Sequence, residues 1–124
     1  NMLAAECRGR EGDEVGLDTA VFGPMGVPAD RAQQLAAAGP ATLVVRAEKL
    51  MVGPPGASPE GAATVAGRVE TVDYQGVSVR YFLRVGETQL QAINMIDGHP
   101  WAEGADVSVS LRPGDCAALP GAPQ

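Results

Sequence analysis

Apolar and polar residues alternate along residues 77–85, and this two-residue period constrains the fold more than any other feature of the chain. In an extended strand, the odd-numbered residues of this run share one face, and the other face carries Ser78, Arg80, Phe82 and Arg84. Residues 107–112 repeat the alternation, and residues 65–70 do so more weakly, with Gly67 indicating a bulge or a close backbone approach. The period predicts half-buried β-strands and argues against helices in these segments.

Further strands are predicted on both sides of this block. Alternation on either side of the turn residues 8–13 predicts a hairpin over residues 2–22. β-Branched residues at 42–46, and the segments 88–94 and 106–112, predict additional strands. Five or six short strands in meander order are therefore expected. No internal repeat is strong enough to be identified from the sequence.

Two segments interrupt this pattern. Residues 30–38 are rich in alanine and predict either a two-turn helix capped by Asp30 and ended by Gly39, or a loop with one helical turn. Residues 53–59 contain three prolines and two glycines, which predict a break between the N-terminal part, 1–52, and a strand block, 62–119. Residues 120–124 are expected to form a frayed tail.

Length and charge limit the possible functions. The 124 residues fit one domain, and the 16 glycines and 10 prolines suit many short strands joined by turns. A net charge of −6 with Lys49 as the single lysine argues against nucleic-acid partners and anionic membranes. The sequence has no apolar run long enough to span a membrane and no signal-peptide pattern, so we expect a soluble cytoplasmic protein without membrane insertion.

The sequence offers no catalytic or metal-binding motif. It lacks a phosphate-binding loop, and its single histidine, His99, has no neighbouring ligand or nucleophile. Asp13, Glu14 and Asp115 are interpreted as solvated turn carboxylates. Cys7 and Cys116 have no metal-ligand spacing and are interpreted as small buried hydrophobic residues. We therefore predict no catalytic residues, no metal site and no bound cofactor in this chain.

Phe82 stands out because the alternation places it on the polar face, between Arg80 and Arg84. One interpretation is a second, shallow core beneath a loop. The other is an interface anchor, since contact surfaces favour aromatic residues beside arginines. Trp101 is open to the same two interpretations. The candidate interface residues are thus Phe82, Arg80, Arg84 and Trp101.

Three sequence elements occur in an order typical of one family. Residues 45–50, Val-Arg-Ala-Glu-Lys-Leu, resemble a Val-Arg-Pro-Glu element, with Ala47 at the usual proline. Residues 67–76 and Tyr81 are similar to a Gly-x-Val-x-x-Val-x-Tyr-x-Gly block. Residues 104–107 and 111–119 resemble a closing strand with a Pro-x-Asp-Cys tail. Together these elements resemble the TOBE domain, the C-terminal regulatory region of ATPase subunits in ABC importers of the maltose, iron(III) and polyamine type.

That resemblance implies an all-β, OB-type β-barrel over residues 1–124, with one short helix at most. It also implies a fragment lacking the ATPase domain, because Asn1 matches the asparagine that commonly ends that domain's last motif. ATP and magnesium would be bound by the missing domain. The implied partners are a second copy of this domain, the ATPase domain and membrane permease subunits, at the cytoplasmic face of the inner membrane.

Two functions remain open at this level. The first is a non-catalytic regulatory and dimerisation domain of an ABC importer ATPase, for which a polyamine-, opine- or iron-like substrate is suggested by family likeness alone. The second is a domain that senses a small solute or oxyanion, as some members of this family do. A free-standing enzyme is disfavoured because the sequence supplies no paired base or metal cluster.

Overall fold

The computed structural model describes residues 1–35, 38–96 and 98–123 and shows an all-β protein. Ten strands form two five-stranded antiparallel sheets. Their bounds are β1 Met2–Glu11, β2 Glu14–Thr19, β3 Gly23–Pro28, β4 Gly39–Val45, β5 Met51–Gly53, β6 Ala63–Gln75, β7 Ser78–Val85, β8 Thr88–Met95, β9 Asp106–Leu111 and β10 Cys116–Pro120. The prediction of an all-β fold is confirmed, whereas the prediction of five or six strands in one meander is wrong.

The chain forms two compact units. Unit 1 comprises Asn1–Val45 and Arg112–Gln124, and unit 2 comprises Arg46–Leu111. The sheet of unit 1 has the order β10-β4-β1-β2-β3, and the sheet of unit 2 has the order β5-β9-β6-β7-β8. Each sheet therefore places a four-strand antiparallel block beside one short strand that comes from elsewhere in the chain.

These two strand orders reveal a structural repeat that the sequence did not disclose. Strands β1 to β4 correspond to β6 to β9, and β5 corresponds to β10. A 3-10 turn precedes each of the two short strands, Ala47–Lys49 before β5 and Pro113–Asp115 before β10. The short strand that ends each repeat pairs with the sheet formed by the other repeat. The two repeats have thus exchanged their last strands.

The core of unit 2 follows the alternation predicted from the sequence. Val79, Tyr81 and Leu83 are buried on one face of β7, whereas Phe82 is half-buried on the opposite face. Val77 lies in the turn before β7 and is 73% exposed. Gly67 is a point of close approach, because a Cβ atom there would lie 3.0 Å from Cγ2 of Val109. The β6 bulge lies between Val69 and Thr71.

A side-chain amide joins the two edge strands of unit 2. Asn94 of β8 donates from Nδ2 to the Leu50 carbonyl at 2.9 Å and accepts the Val52 N–H at 3.3 Å. These bonds take the place of a backbone ladder between β5 and β8, which contact each other. The amide closes the sheet into a small barrel, in agreement with the predicted OB-type architecture.

Unit 1 is closed by an arginine. The predicted hairpin is confirmed as β1 and β2, and the edge strands β3 and β10 contact each other. Arg31, in the 3-10 turn Ala29–Arg31 after β3, donates from Nε to the Cys116 carbonyl of β10 at 3.0 Å.

Of the two predictions for residues 30–38, the described residues agree with the loop bearing one helical turn and not with the two-turn helix; positions 36 and 37 lie outside the described residues. Asp30 caps no helix, since it lies inside the 3-10 turn, Pro28 occupies the N-cap position and no side chain caps the turn. Burial of Ala32 outweighs the helix propensity of a short alanine-rich segment.

The prediction of a frayed tail over residues 120–124 is wrong for residues 120 and 121. Pro120 still pairs with Ala41 of β4, and the Gly121 N–H donates to the Pro40 carbonyl at 3.0 Å. The Thr42 hydroxyl donates to the Gly121 carbonyl at 2.8 Å. Hydrogen bonds therefore fix the chain beyond β10. Within the described part of the chain, no helix is long and apolar enough to cross a membrane.

Candidate functional site

A pocket lined by hydroxyl groups lies in unit 2, between the segment 54–62 and strands β6 and β9. Its volume is about 280 Å³. The lining residues are Gly56, Ala57, Ser58, Thr64, Val65, Ala66 and Ser108. None of these side chains ionises. The pocket therefore presents neutral hydroxyl groups beside small apolar side chains.

The hydroxyl groups of this hydroxyl pocket differ in their hydrogen bonding. Those of Thr64 and Ser110 are 2.8 Å apart and bonded, whereas the Ser58 hydroxyl approaches Thr64 only to 3.5 Å. Ser108 is 3% exposed, and its hydroxyl makes no hydrogen bond to another described residue. Every fully enclosed side-chain nitrogen or oxygen of the described residues has a partner, so the Ser108 hydroxyl must reach the open space of the pocket.

Two tight turns shape the segment that borders the hydroxyl pocket. The Ala57 N–H donates to the Pro54 carbonyl at 3.0 Å, and the Ala62 N–H donates to the Pro59 carbonyl at 3.1 Å. The third residue of each turn, Gly56 or Gly61, has a positive φ. A positive φ at the third position of a turn favours glycine. Each turn also begins with a proline, whose ring fixes φ at that residue. The border of the pocket is therefore built from conformationally restricted residues.

Two further cavities of unit 2 lie near the β5–β8 junction. A groove of about 440 Å³ is lined mainly by apolar side chains of β5 and β8, together with Glu48, Ser78 and Asn94. A cavity of about 280 Å³ beside it includes Tyr81, His99 and the predicted interface residue Trp101. The Trp101 backbone N–H donates to the Tyr81 hydroxyl at 2.9 Å, which fixes this loop to β7.

The other predicted interface residues share the outer face of β7. Arg80 donates from Nη1 to Oε1 of Gln91 at 2.7 Å, and Arg84 pairs with Glu70 at 3.2 Å. Phe82 lies between these arginines and pairs with Thr71 and Gln91 of the neighbouring strands. Phe82, Arg80 and Arg84 are thus brought together, whereas Trp101 lines a different surface. The role of all four at an interface stays a prediction.

The pairing around Arg84 also affects Glu70. The hydrogen bond from Gln89 lowers the pKa of Glu70, and the Arg84 guanidinium lowers it further, while partial burial opposes both effects. Glu70 is therefore ionised at neutral pH. Arg80 and Arg84 thus each have a partner on this face, the neutral Gln91 and the ionised Glu70.

The two cysteine thiols are free and buried. Cys7 and Cys116 lie in the same sheet, but β4 separates their strands. Desolvation raises the pKa of the Cys116 thiol to about 11, and the adjacent Asp115 carboxylate contributes to this rise. The interpretation of both residues as small buried hydrophobic groups is confirmed.

The remaining titratable candidates stay apart from one another. His99 is exposed, Asp13 and Glu14 lie at the β1–β2 turn, and Asp115 ends a 3-10 turn. Within residues 1–35, 38–96 and 98–123, no group of three or more His, Cys, Asp or Glu side chains could hold a metal ion.

Ser108 and its neighbours were not among the residues predicted from sequence. The alternation of valine and serine in β9 was interpreted as a half-buried strand, yet both serines are buried. An available signal was the small, uncharged character of the polar positions of β9, which suits a strand enclosed on both faces.

Comparisons with known proteins agree with the architecture. A family model described as the TOBE domain matches residues 43–119. A similar solved structure is that of the cytoplasmic molybdate-binding protein ModG with molybdate bound. It is 17% identical with a TM-score of 0.74, over 96% of this chain and 94% of that one. This likeness establishes the fold. No curated protein sequence matches the chain. Since the family model spans more than half of the sequence and contains the motif segments identified above, the chain belongs to the TOBE domain family.

Proposed function

We propose that this chain is a non-catalytic regulatory domain that senses a small oxyanion through the hydroxyl pocket of unit 2. The observation that carries this proposal is the Ser108 hydroxyl, which is almost completely buried and lacks a hydrogen-bond partner among the described residues. Because this hydroxyl reaches the open space of the pocket, it can donate a hydrogen bond to a bound ligand in place of water.

The chemistry of the pocket favours an anion with several acceptor oxygens. Ser58, Thr64 and Ser108 supply hydroxyl donors, and no lining carboxylate would repel negative charge. Hydrogen bonds from neutral donors to an anion are stronger than bonds between neutral groups. The volume of about 280 Å³ leaves room for a small tetrahedral ion with part of its hydration shell. The structural likeness to a molybdate-binding protein supports this choice of ligand class.

The parent molecule we propose is the ATPase subunit of an ABC importer. Membership of the TOBE family and the segment 45–50 support this assignment. In that setting, ATP and magnesium would be used by a separate ATPase domain, and the subunit would meet permease subunits at the cytoplasmic face of the membrane. The oxyanion would then report the level of the transported solute to the ATPase.

Titration of the purified chain with sodium molybdate tests the sensing function. We expect molybdate to raise the melting temperature, because a ligand at about 100 times its Kd stabilises the folded state by about 2.7 kcal/mol. Sodium chloride at equal ionic strength should have no such effect. Replacing Ser108→Ala should weaken binding about tenfold, which corresponds to loss of about 1.4 kcal/mol.

Ser78→Ala is the matched control, since Ser78 is a strand serine of the same unit outside the hydroxyl pocket. It should bind molybdate as the unchanged protein does. If molybdate, tungstate, sulfate and phosphate all fail to shift the melting temperature, oxyanion sensing is excluded.

A second candidate function is the joining of two ATPase subunits through the outer face of β7. The half-buried Phe82 side chain between Arg80 and Arg84 favours it, because aromatic residues flanked by arginines are enriched at contact surfaces. This function and oxyanion sensing use different surfaces of unit 2, so each can be tested separately.

A further inference from the structure

The structural repeat assigns Ser108 of the hydroxyl pocket, and Gly53 beside it, counterparts in unit 1. Gly53 of β5 pairs with Ser108 of β9, and Leu119 of β10 pairs with Thr42 of β4. Ser108 and Thr42 are therefore equivalent, and both are hydroxyl residues with little exposure. The two units can be compared at the same position of the same fold.

In unit 1 the chain itself satisfies this hydroxyl. Thr42 donates to the Gly121 carbonyl at 2.8 Å, and the Gly121 N–H donates to the Pro40 carbonyl at 3.0 Å. Gly121 has a φ of 87°, in the left-handed region that favours glycine. The segment that follows β10 turns at this residue and places its carbonyl against the threonine.

In unit 2 the equivalent turn cannot form. Continuing the register from Gly53 and Leu119 places Pro54 opposite Pro120 and Pro55 opposite Gly121. Proline is fixed near a φ of about −65° and has no N–H, so Pro55 can adopt neither the left-handed conformation nor the backbone hydrogen bond of Gly121. The left-handed residue comes one position later, at Gly56, and the chain turns along a different path.

A second difference leaves additional room beside Ser108. Gly53 occupies the place of Leu119, and a Cβ atom at Gly53 would lie 3.3 Å from the Ser108 hydroxyl oxygen. The missing side chain at Gly53 and the displaced chain at Pro55 together leave this hydroxyl facing open space.

We infer that Pro55 holds the hydroxyl pocket of unit 2 open, whereas Gly121 closes its counterpart in unit 1, so that each chain binds one oxyanion and not two. Pro55 is in this sense a positioning residue, because it acts through the path of the backbone and not through contact with the ligand. The inference rests on the proposed oxyanion-sensing function. It adds that each chain binds one oxyanion, and that Pro55 is the reason why only unit 2 has an open pocket.

Calorimetric titration of the full chain with sodium molybdate tests this inference with two substitutions at one position. Pro55→Gly permits the left-handed turn and restores an N–H. The carbonyl of residue 55 can then accept a hydrogen bond from the Ser108 hydroxyl, as the Gly121 carbonyl does from Thr42 in unit 1, and this bond competes with molybdate. We expect binding to weaken about tenfold. Pro55→Ala also removes the ring and restores the N–H, but alanine disfavours a positive φ, so molybdate binding should change less than about threefold.

The unchanged protein should bind one molybdate per chain, and circular dichroism should show that both variants remain folded. Two molybdates per chain, equal affinity of Pro55→Gly and the unchanged protein, or equal weakening in both variants would each overturn the role of Pro55. If the unchanged protein binds no oxyanion, the proposed function fails and the inference fails with it. Binding of one ion that is insensitive to Pro55→Gly refutes the inference and leaves oxyanion sensing intact.

Discussion

Ser108 and Ser110 lie two residues apart on β9, on the same face, and have different environments. Ser110 has a partner in Thr64 at 2.8 Å, which makes it part of the folded structure irrespective of any ligand. Ser108 faces Gly53, whose missing side chain leaves the hydroxyl next to a pocket. The same residue type is therefore structural at one position and available for binding at the other.

Cys116 provides a prediction for stability as a function of pH. Desolvation raises the pKa of its thiol to about 11 in the folded protein, whereas an exposed thiol has a pKa of about 8.5. The folded state therefore holds this proton more tightly than the unfolded state does. Its contribution to the free energy of unfolding is complete below about pH 8 and should be lost as the pH rises toward 11.

Urea denaturation of the unchanged protein and of Cys116→Ala at several pH values checks this expectation. The difference in unfolding free energy between the two proteins should shrink from about pH 8 upward. Two curves that stay parallel over this range would contradict the assigned shift of the Cys116 pKa.

Among the structural elements, the junction between β5 and β8 depends on one side chain. β5 is three residues long, and the Asn94 amide of β8 bonds to Val52 within it and to Leu50 immediately before it. Because no backbone ladder joins these strands, the amide contributes to closure of the barrel as well as to local packing.

The Asn94→Ala substitution should lower the free energy of unfolding by about 1–3 kcal/mol. It removes the amide to which the Leu50 carbonyl and the Val52 N–H are bonded. Urea denaturation measures this loss. Gln89→Ala on the same strand is the control, because Gln89 is exposed and its removal should change stability by less than about 0.5 kcal/mol. Equal effects of the two substitutions would show that Asn94 has no special role in closure.

The sequence predicted individual strands well and their arrangement poorly, for a physical reason. Alternation reports which face of a strand is buried, so β7, β8 and β9 were found with nearly correct bounds. Pairing depends on contacts distant in sequence. Nothing local in residues 51–53 or 116–120 indicates that each segment pairs with the sheet of the other repeat.

The same limit applies to the hydroxyl pocket. The proline-rich break at residues 53–59 was recognised, and Pro55 and Gly56 belong to it. The role of Pro55 is apparent only when the chain after Gly53 is compared with the chain after Leu119. That comparison requires the repeat, which is recognised only in the three-dimensional structure. The likeness of Pro54-Pro55 to Pro120-Gly121 is too short to be detected by itself.

For the whole molecule, the association of two copies remains the main prediction from the outer face of β7. We expect a concentration-dependent dimer in sedimentation experiments, and Phe82→Glu should abolish it, because a buried unpaired carboxylate at a contact surface is costly. The melting temperature should change little, since Phe82 lies outside the core of unit 2.

Val77→Glu is the control for charge, because Val77 is exposed in the turn before β7. It should associate as the unchanged protein does. A strict monomer at all concentrations would remove support for subunit joining by the isolated chain and would favour the sensing function.

The exchange of the last strands also determines when each unit can be completed during synthesis. Unit 2 is continuous in sequence, so all of its strands have been made once Leu111 has been added to the chain. Unit 1 begins with the first strands of the chain but lacks β10 until residue 120 has been added. The edge of β4 that pairs with β10 therefore remains unpaired while the whole of unit 2 is synthesised. A chain that ends near residue 111 would lack β10 and would present the unpaired backbone groups of β4 to other extended chains.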